Sequence, residues 1–153
     1  MGSNDDIAMS AEQRCQDNMA ISLLVRNWFF AITTQRPTGK LLEMLAADFQ
    51  LTFPEATLSN RDEFDHWYLG VREQFFDQQH LIRHLDIQWQ STTVAHLAIW
   101  VNWQARQRNR DLPFSRLLDF DALQHWQVIH EHGRWRIAHY QVVELKDNQE
   151  RNS

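Results

Sequence analysis

The sequence predicts an α+β domain in which helices cover one face of a long antiparallel sheet. Two observations predict it. Apolar and polar side chains alternate over Leu81–Gln107, and a period of two places each set on its own face of a strand. Helical patterns dominate the first half of the chain, whereas strand patterns dominate the second half. Such segregation of helices and strands is typical of α+β proteins.

The first helix is predicted from Ser10 to about Thr33. Ser10 is a typical N-cap residue, and it precedes a broad apolar stripe at helical spacing. The proline and glycine that follow the stripe break the pattern. Residues 40–47 then predict a second, shorter helix, and residues 49–53 predict a short strand.

A third helix is predicted to begin at a capping box formed by Asn60 and Glu63. Its large side chains recur at spacings that place them on one face. They are Phe64, Trp67, Tyr68, Val71 and Phe75. Four long strands follow, and His132 and Gly133 are predicted to turn between the last two. The strands are predicted over His80–Gln90, Thr93–Gln107, Leu123–Glu131 and Trp135–Leu145.

The orientation of the strand over Thr93–Gln107 stays open at this point. If its polar set faces the interior, then His96, Trp100 and Asn102 line a cavity. If its apolar set faces the interior, His96 points outward, toward a dimer interface. The apolar set consists of Ala95, Leu97, Ile99, Val101, Trp103 and Ala105.

Composition narrows the class of protein. The chain has 153 residues and is expected to fold as one domain over residues 8–146, with flexible tails at 1–7 and 147–153. A net charge of -5 disfavours nucleic-acid binding, which needs a dense basic surface. The single cysteine excludes an internal disulfide and agrees with a reducing, cytoplasmic location. Neither a signal peptide nor an apolar run long enough to span a membrane is predicted.

Three segments carry a resemblance to a known superfamily. They are FFAITTQRPTGKLLEMLAADFQLTFP at 29–54, IRHLDIQW at 82–89 and GRWRIAHYQVVEL at 133–145. They resemble the nuclear transport factor 2-like superfamily, especially its SnoaL-like and ketosteroid isomerase-like branch. The resemblance implies a cone, in which a strongly curved antiparallel sheet wraps round N-terminal helices. The superfamily includes isomerases, dehydratases, cyclases and plain binding proteins, so the fold alone does not imply one reaction.

His84 is the first candidate for a catalytic residue. Many members of the superfamily carry a cavity-facing histidine after an arginine at this strand, and Arg83-His84 resembles that pair. A position that is often asparagine in the superfamily is Gln88 here. Asp86 shares the parity of His84 and is predicted to orient it as an acid–base group. The alternative is that His84 only hydrogen-bonds a backbone group in the core.

The predicted ligand-binding residues are aromatic and polar side chains at candidate inward positions. They are Trp28, Phe53, Trp67, Tyr68, Trp100, Asn102 and His139. His139 shares the parity of Trp135 and Ile137, so it is expected to face the helices. No metal or cofactor is predicted, because the histidines at 130 and 132 fall in a turn and the glycines form no phosphate-binding loop.

These observations lead to two hypotheses about function. In the first, the cone binds a small, largely apolar molecule and catalyses cofactor-free proton transfer, with His84 as acid–base and Tyr68 as hydrogen-bond donor. In the second, the domain is a non-catalytic ligand-binding or assembly module. A homodimer through the sheet is also expected, because the strand indoles exceed what one layer of helices can cover. Those indoles belong to Trp89, Trp100, Trp103, Trp126 and Trp135.

Overall fold

The computed structural model describes residues 10–108 and 111–149. Within them the chain forms three helices and a single six-stranded sheet. In chain order the elements are α1 (Ala11–Thr33), α2 (Thr38–Leu42), β1 (Leu45–Thr52), β2 (Thr57–Leu58), α3 (Arg61–Gln74), β3 (Phe75–Trp89), β4 (Val94–Gln107), β5 (Arg116–Glu131) and β6 (Arg134–Asp147).

The sheet has the strand order β2-β1-β6-β5-β4-β3. β1 runs parallel to β6, and every other pair of neighbours is antiparallel. The four strands from β3 to β6 contain 15, 14, 16 and 14 residues, and they form the predicted run of long antiparallel strands. The predicted α+β class, with a curved sheet wrapped round N-terminal helices, is therefore confirmed.

Side-chain caps fix where α1 and α3 begin. Ser10 Oγ accepts a hydrogen bond from the backbone N–H of Gln13 at 3.0 Å, and Asn60 Oδ1 accepts from that of Glu63 at 2.9 Å. Glu63 Oε1 in turn accepts from the backbone N–H of Ser59 at 2.7 Å, which completes the predicted capping box. Each cap pairs an amide that the first helical turn leaves without an intrahelical partner.

The second helix is shorter than its sequence predicts. The pattern predicts a helix over residues 40–47, but α2 ends at Leu42 and Leu45 already belongs to β1. Leu45 pairs with Ile137 of β6, whose backbone N–H donates to Met44 O at 2.8 Å. Pairing with the sheet outweighs the helical preference here, because a helix of about two turns is marginal on its own.

The core lies between α1 and the inner face of the sheet, which is the face that the helices cover. Trp28 of α1 is fully buried, and so is Ile99 of β4. The apolar set of β4 therefore points inward, which settles the orientation that alternation alone leaves open. His96 and Trp100 lie on the outer face and are exposed.

Most of the strand tryptophans pack inside the molecule. Trp126 and Trp135 are buried, and the indole N–H of Trp89 donates to Asn18 Oδ1 of α1 at 3.0 Å. Of the five strand tryptophans, all in the described part of the chain, Trp100 is the one on the outer face. The expectation that they leave a large uncovered apolar surface is wrong, because they thicken the core instead. The homodimer itself stays a prediction.

The predicted turn between the last two strands is confirmed. His132 has a φ of 51° and Gly133 a φ of 83°. Two successive residues of positive φ are typical of the two-residue turn that matches the twist of a hairpin. Glycine adopts this conformation without a steric penalty, and both residues are exposed.

The predicted tails fall largely outside the described residues, which leave out 1–9 and 150–153. In the described part of the second tail, Asp147 ends β6 and the backbone N–H of Asn148 donates to Asp119 O at 2.9 Å. In residues 10–108 and 111–149, no helix has both the length and the apolar character that crossing a bilayer requires.

Candidate functional site

A cavity of about 440 Å³ lies between the inner face of the sheet, α3 and the segment that follows β1. Phe53 and Trp67 form one part of its wall, with ring centroids 4.2 Å apart and ring planes inclined by 12°. Trp103 of β4 and Tyr140 of β6 add two more aromatic rings. Glu55, which is exposed, marks the opening to solvent. A volume of this size suits a small molecule.

Few polar groups interrupt the apolar lining. They include Gln78, His80 and Gln124, which come from β3 and β5. Burial raises the pKa of Tyr140, so its hydroxyl stays neutral at physiological pH. Glu55 at the opening is the one carboxylate among the described lining residues. In the described part of the chain, no three His, Cys, Asp or Glu side chains are grouped to hold a metal ion.

His80 is the histidine that faces the cavity. Its Nδ1 lies 3.0 Å from Thr33 Oγ1 at the end of α1, and its ring stacks on Phe29 with centroids 5.1 Å apart. Burial lowers the pKa of His80 from 6.5 to about 4, because the charged form loses hydration. The ring is therefore neutral at pH 7. Because Thr33 occupies Nδ1, Nε2 is the ring nitrogen that remains for a ligand.

A bulge in β3 turns His84 away from this cavity. Ile82 pairs with Val101, and His84 pairs with Trp100, which leaves Arg83 as an extra residue. Side chains alternate along a strand, so one extra residue moves every later side chain to the other face. Ile82 therefore faces the core and His84 faces solvent, although they are only two positions apart.

The predicted catalytic pair is consequently a surface pair. His84 Nε2 and Asp86 Oδ1 are 2.8 Å apart, and their side chains are 61% and 53% exposed. The prediction that Asp86 contacts His84 agrees with this distance. The prediction that His84 faces the cavity is wrong, because the bulge at Arg83 reverses the parity on which it rested.

The seven predicted ligand-binding residues separate into different environments. Phe53 and Trp67 line the cavity. Trp28 is fully buried in the core, where it packs against other aromatic rings. Tyr68 is also buried, and its hydroxyl donates to Arg36 O at 2.6 Å. That hydroxyl proton is therefore used in a hydrogen bond within the protein instead of being offered to a ligand.

Trp100 and Asn102 lie on the outer face of β4, opposite to the cavity. Trp100 is 37% exposed. Asn102 is buried by a polar cluster, in which its Nδ2 donates to Asp119 Oδ1 at 2.8 Å and to Asp121 Oδ1 at 2.9 Å. Their expected place in the cavity depended on an inward-facing polar set, and the structure turns that set outward because the apolar set fills the core.

His139 is also outside the cavity, for the same kind of reason as His84. Val128 pairs with Ile137 and Gln127 pairs with His139, so Ala138 is an extra residue in β6. Ile137 and Ala138 are both buried, whereas His139 is exposed. The prediction that His139 shares the inward face of Ile137 is wrong, because this bulge reverses the alternation.

The sequence-based interpretation missed His80 and Gln78 as site residues. A signal was available for His80, because the apolar Ile82 has the same parity and predicts an inward face there. No pattern in the sequence marks Gln78, which lies in a polar run of similar side chains. Its direction depends on a second bulge in β3.

Comparison with known proteins gives a family and a fold. A model of the SnoaL-like domain matches residues 13–141. No functionally curated protein sequence matches the chain. Many solved structures do resemble it.

Three solved structures illustrate the likeness. A hexachlorocyclohexane dehydrochlorinase, LinA-type3 from Novosphingobium barchaimii, has a TM-score of 0.77 at 13% identity, over 92% of this chain and 96% of that one. A scytalone dehydratase-like protein from Novosphingobium aromaticivorans has a TM-score of 0.78 at 15% identity, over 90% and 91%. A ketosteroid isomerase-like protein from Erwinia carotovora atroseptica has a TM-score of 0.65 at 16% identity, over 82% and 95%. At such identities the likeness shows the fold alone.

Proposed function

The chain belongs to the SnoaL-like domain family, and from that premise we propose that its cone binds a small, largely apolar molecule. The observation that carries the proposal is the cavity of about 440 Å³ behind the Phe53–Trp67 stack. Small-molecule sites are typically apolar concavities of this size in which a few polar groups fix the orientation of the ligand.

The aromatic side chains of the lining favour a ligand that contains a ring. Phe53, Trp67 and Trp103 contribute aromatic surface, which gains most from stacking against another flat or ring-shaped group. The lining offers no lysine or arginine in its described part, so an anionic ligand would lose its hydration without a compensating charge. The ligand is therefore expected to be neutral and mostly apolar.

We further propose that His80 transfers a proton to or from the bound molecule. Its neutral ring lines the cavity, and an unprotonated imidazole can accept a proton from a ligand. Thr33 orients the ring through Nδ1. A threonine hydroxyl can donate or accept, so it permits either tautomer of the imidazole, unlike a carboxylate. Solved proteins of this fold are named as a dehydrochlorinase, a dehydratase-like protein and an isomerase-like protein, which supports an enzyme.

The second candidate is a carrier that binds the ligand without changing it. A specific observation favours it: with a pKa of about 4, His80 is a weak base, and its partner Thr33 carries no charge to stabilise an imidazolium. Exchange of the C1 protons of 2-tetralone in D2O separates the two candidates. An enzyme accelerates the exchange, and His80→Gln abolishes the acceleration while His84→Gln keeps it. A carrier binds the ketone without acceleration.

Binding in the cone can be tested with N-phenyl-1-naphthylamine, a neutral apolar probe whose fluorescence rises in apolar surroundings. We expect Trp67→Ala to weaken binding of the probe by about tenfold or more, since it removes an aromatic contact of the wall. Trp100→Ala is the matched control, because that indole lies on the outer face. Absence of binding to the wild-type protein, or equal losses in the two variants, would contradict the proposal.

A further inference from the structure

Gln78 presents a buried amide of which only one half is paired. Its Oε1 accepts a hydrogen bond from the indole N–H of Trp103 at 3.1 Å. An indole N–H can only donate, so this bond fixes which end of the amide is oxygen and which is nitrogen. The nitrogen, Gln78 Nε2, is buried and has no hydrogen-bond partner among the described residues. Both side chains line the cavity.

An unpaired buried donor is uncommon in folded proteins, because burial removes the hydrogen bond that water supplies in the unfolded chain. Gln78 is 6% exposed, so water in the unliganded protein scarcely reaches it. A ligand acceptor that reached Nε2 would supply the hydrogen bond that the folded chain does not give it. The position therefore suits recognition of a ligand better than it suits stability.

The backbone supports the same interpretation. Phe76 pairs with Arg106 and Gln79 pairs with Gln104, so β3 has one more residue than β4 in this interval. Asp77 in the bulge has a φ of 50°, a left-handed conformation that aspartate adopts more readily than most other residues with a side chain. Without the extra residue, Asp77 and Gln79 would face inward. The bulge thus directs Gln78 and His80 into the cone, and bulges are over-represented next to active sites.

The groups around Gln78 restrict which chemical group of a ligand can bind to its side chain. Trp103 already donates to its oxygen, so the part of the amide that lacks a partner is its N–H donor. His80 beside it on β3 is neutral at pH 7, and Glu55 stands at the exposed opening. An anion would therefore be buried without a positive partner. A ketone oxygen supplies the acceptor that Nε2 lacks and brings no proton that needs an acceptor of its own.

We propose that Gln78 selects ligands with a neutral carbonyl oxygen, which accepts a hydrogen bond from its Nε2 while Trp103 holds the amide in place. The inference rests on the proposed function, since it requires a ligand in the cone. It identifies Gln78 as a specificity-determining residue and the substrate class as neutral ring-containing ketones.

Two matched probes test this inference, namely 1-tetralone, which has a ketone, and tetralin, which has the same rings without it. Calorimetry gives the ratio of their dissociation constants for each variant. Gln78→Met keeps the length of the side chain and removes the donor, so the preference for 1-tetralone should fall about tenfold. Gln79→Met is the control, because Gln79 is the exposed neighbour on the opposite face. It should leave the preference unchanged.

The outcomes distinguish this inference from the proposed function. If neither probe binds the wild-type protein, both proposals fail. If tetralin binds and Gln78→Met leaves the preference unchanged, only the role of Gln78 fails. Tetralin binding to Gln78→Met also verifies that the variant is folded. Should that variant not fold, the wild-type protein still decides: a hydrogen bond lowers the infrared C=O stretch of bound 1-tetralone below its value in cyclohexane, and an unshifted band overturns the inference.

Discussion

His80 and His84 lie on the same strand, and the sheet gives them opposite environments. His80 faces the cavity, stacks on Phe29 and has its pKa lowered to about 4 by burial. His84 faces solvent, where its Nε2 contacts Asp86 and its side chain is 61% exposed. One extra residue, Arg83, separates the two environments. Residue type and spacing therefore do not decide which histidine faces the cavity, because the position of a bulge does.

The same contrast holds for the two faces of the whole sheet. The inner face carries the aromatic core and the cavity, whereas the outer face carries exposed polar pairs such as His84–Asp86 and the cluster round Asn102. The first set of groups is desolvated, so its interactions are strong and its pKa values shift. The His84–Asp86 pair of the outer face is hydrated, and exposed ion pairs of this kind contribute little to stability.

The largest difference between the faces is expected in stability. Trp28→Ala removes a fully buried indole that packs on Phe64, Trp126 and Tyr140, so the free energy of unfolding should fall by about 3–5 kcal/mol. Trp100→Ala removes an indole from the outer face and should cost less than about 1 kcal/mol. Urea unfolding of the two variants measures both values, and similar losses would contradict the assignment of the faces.

The next largest difference is expected in the pH dependence of stability. The pKa of His80 is about 4 in the folded chain and 6.5 in the unfolded chain, so the unfolded chain binds a proton first as the pH falls. The stability that the folded chain has while His80 is neutral in both states is fully present above pH 6.5. It is lost progressively as the pH falls to about 4. Between pH 7 and pH 5 the loss should be about 2 kcal/mol.

Two histidine variants isolate that contribution in urea unfolding at the two pH values. His80→Gln should reduce the loss between pH 7 and pH 5 by about 2 kcal/mol relative to the wild-type protein. His84→Gln is the matched control, because it removes a histidine of the same strand without touching the cavity. An unchanged pH dependence in His80→Gln would show that His80 is not buried in its neutral form.

A smaller effect is expected on association. The outer face retains exposed Trp100 and Leu81, which are 37% and 52% exposed, and we propose that it forms the interface of a homodimer. Light scattering at micromolar concentration should then give twice the chain mass of 18.3 kDa. Trp100→Glu should shift the protein toward the monomer with little change in fold. A wild-type mass equal to that of one chain removes this proposal.

The alternation of apolar and polar residues was sufficient to predict that four long strands exist. The starts of β3 and β5 were predicted too late, at His80 and Leu123 instead of Phe75 and Arg116. The alternation predicted β4 within one residue at its start, because a strand covered on one face must place its apolar set there. The capping residues Ser10 and Asn60 likewise marked the starts of two helices. These features are local, so they can be identified from neighbouring residues alone.

The cavity-facing residues could not be predicted in the same way. Bulges at Asp77, Arg83 and Ala138 each reverse the parity of the residues that follow, and no hydrophobic pattern marks their positions. A bulge depends on the register between two strands, which is a tertiary property. For this reason His84 and His139 were placed on the wrong face, although the strands that carry them were predicted.

We propose that ligands bind at the inner face of the sheet and not at the outer face. The indole N–H signals of a 15N-labelled protein test it in one spectrum, because Trp67 and Trp103 line the cavity and Trp100 does not. On titration with 1-tetralone we expect the signals of Trp67 and Trp103 to shift while that of Trp100 stays in place. A shift of the Trp100 signal with unmoved signals of Trp67 and Trp103 would contradict binding at the inner face.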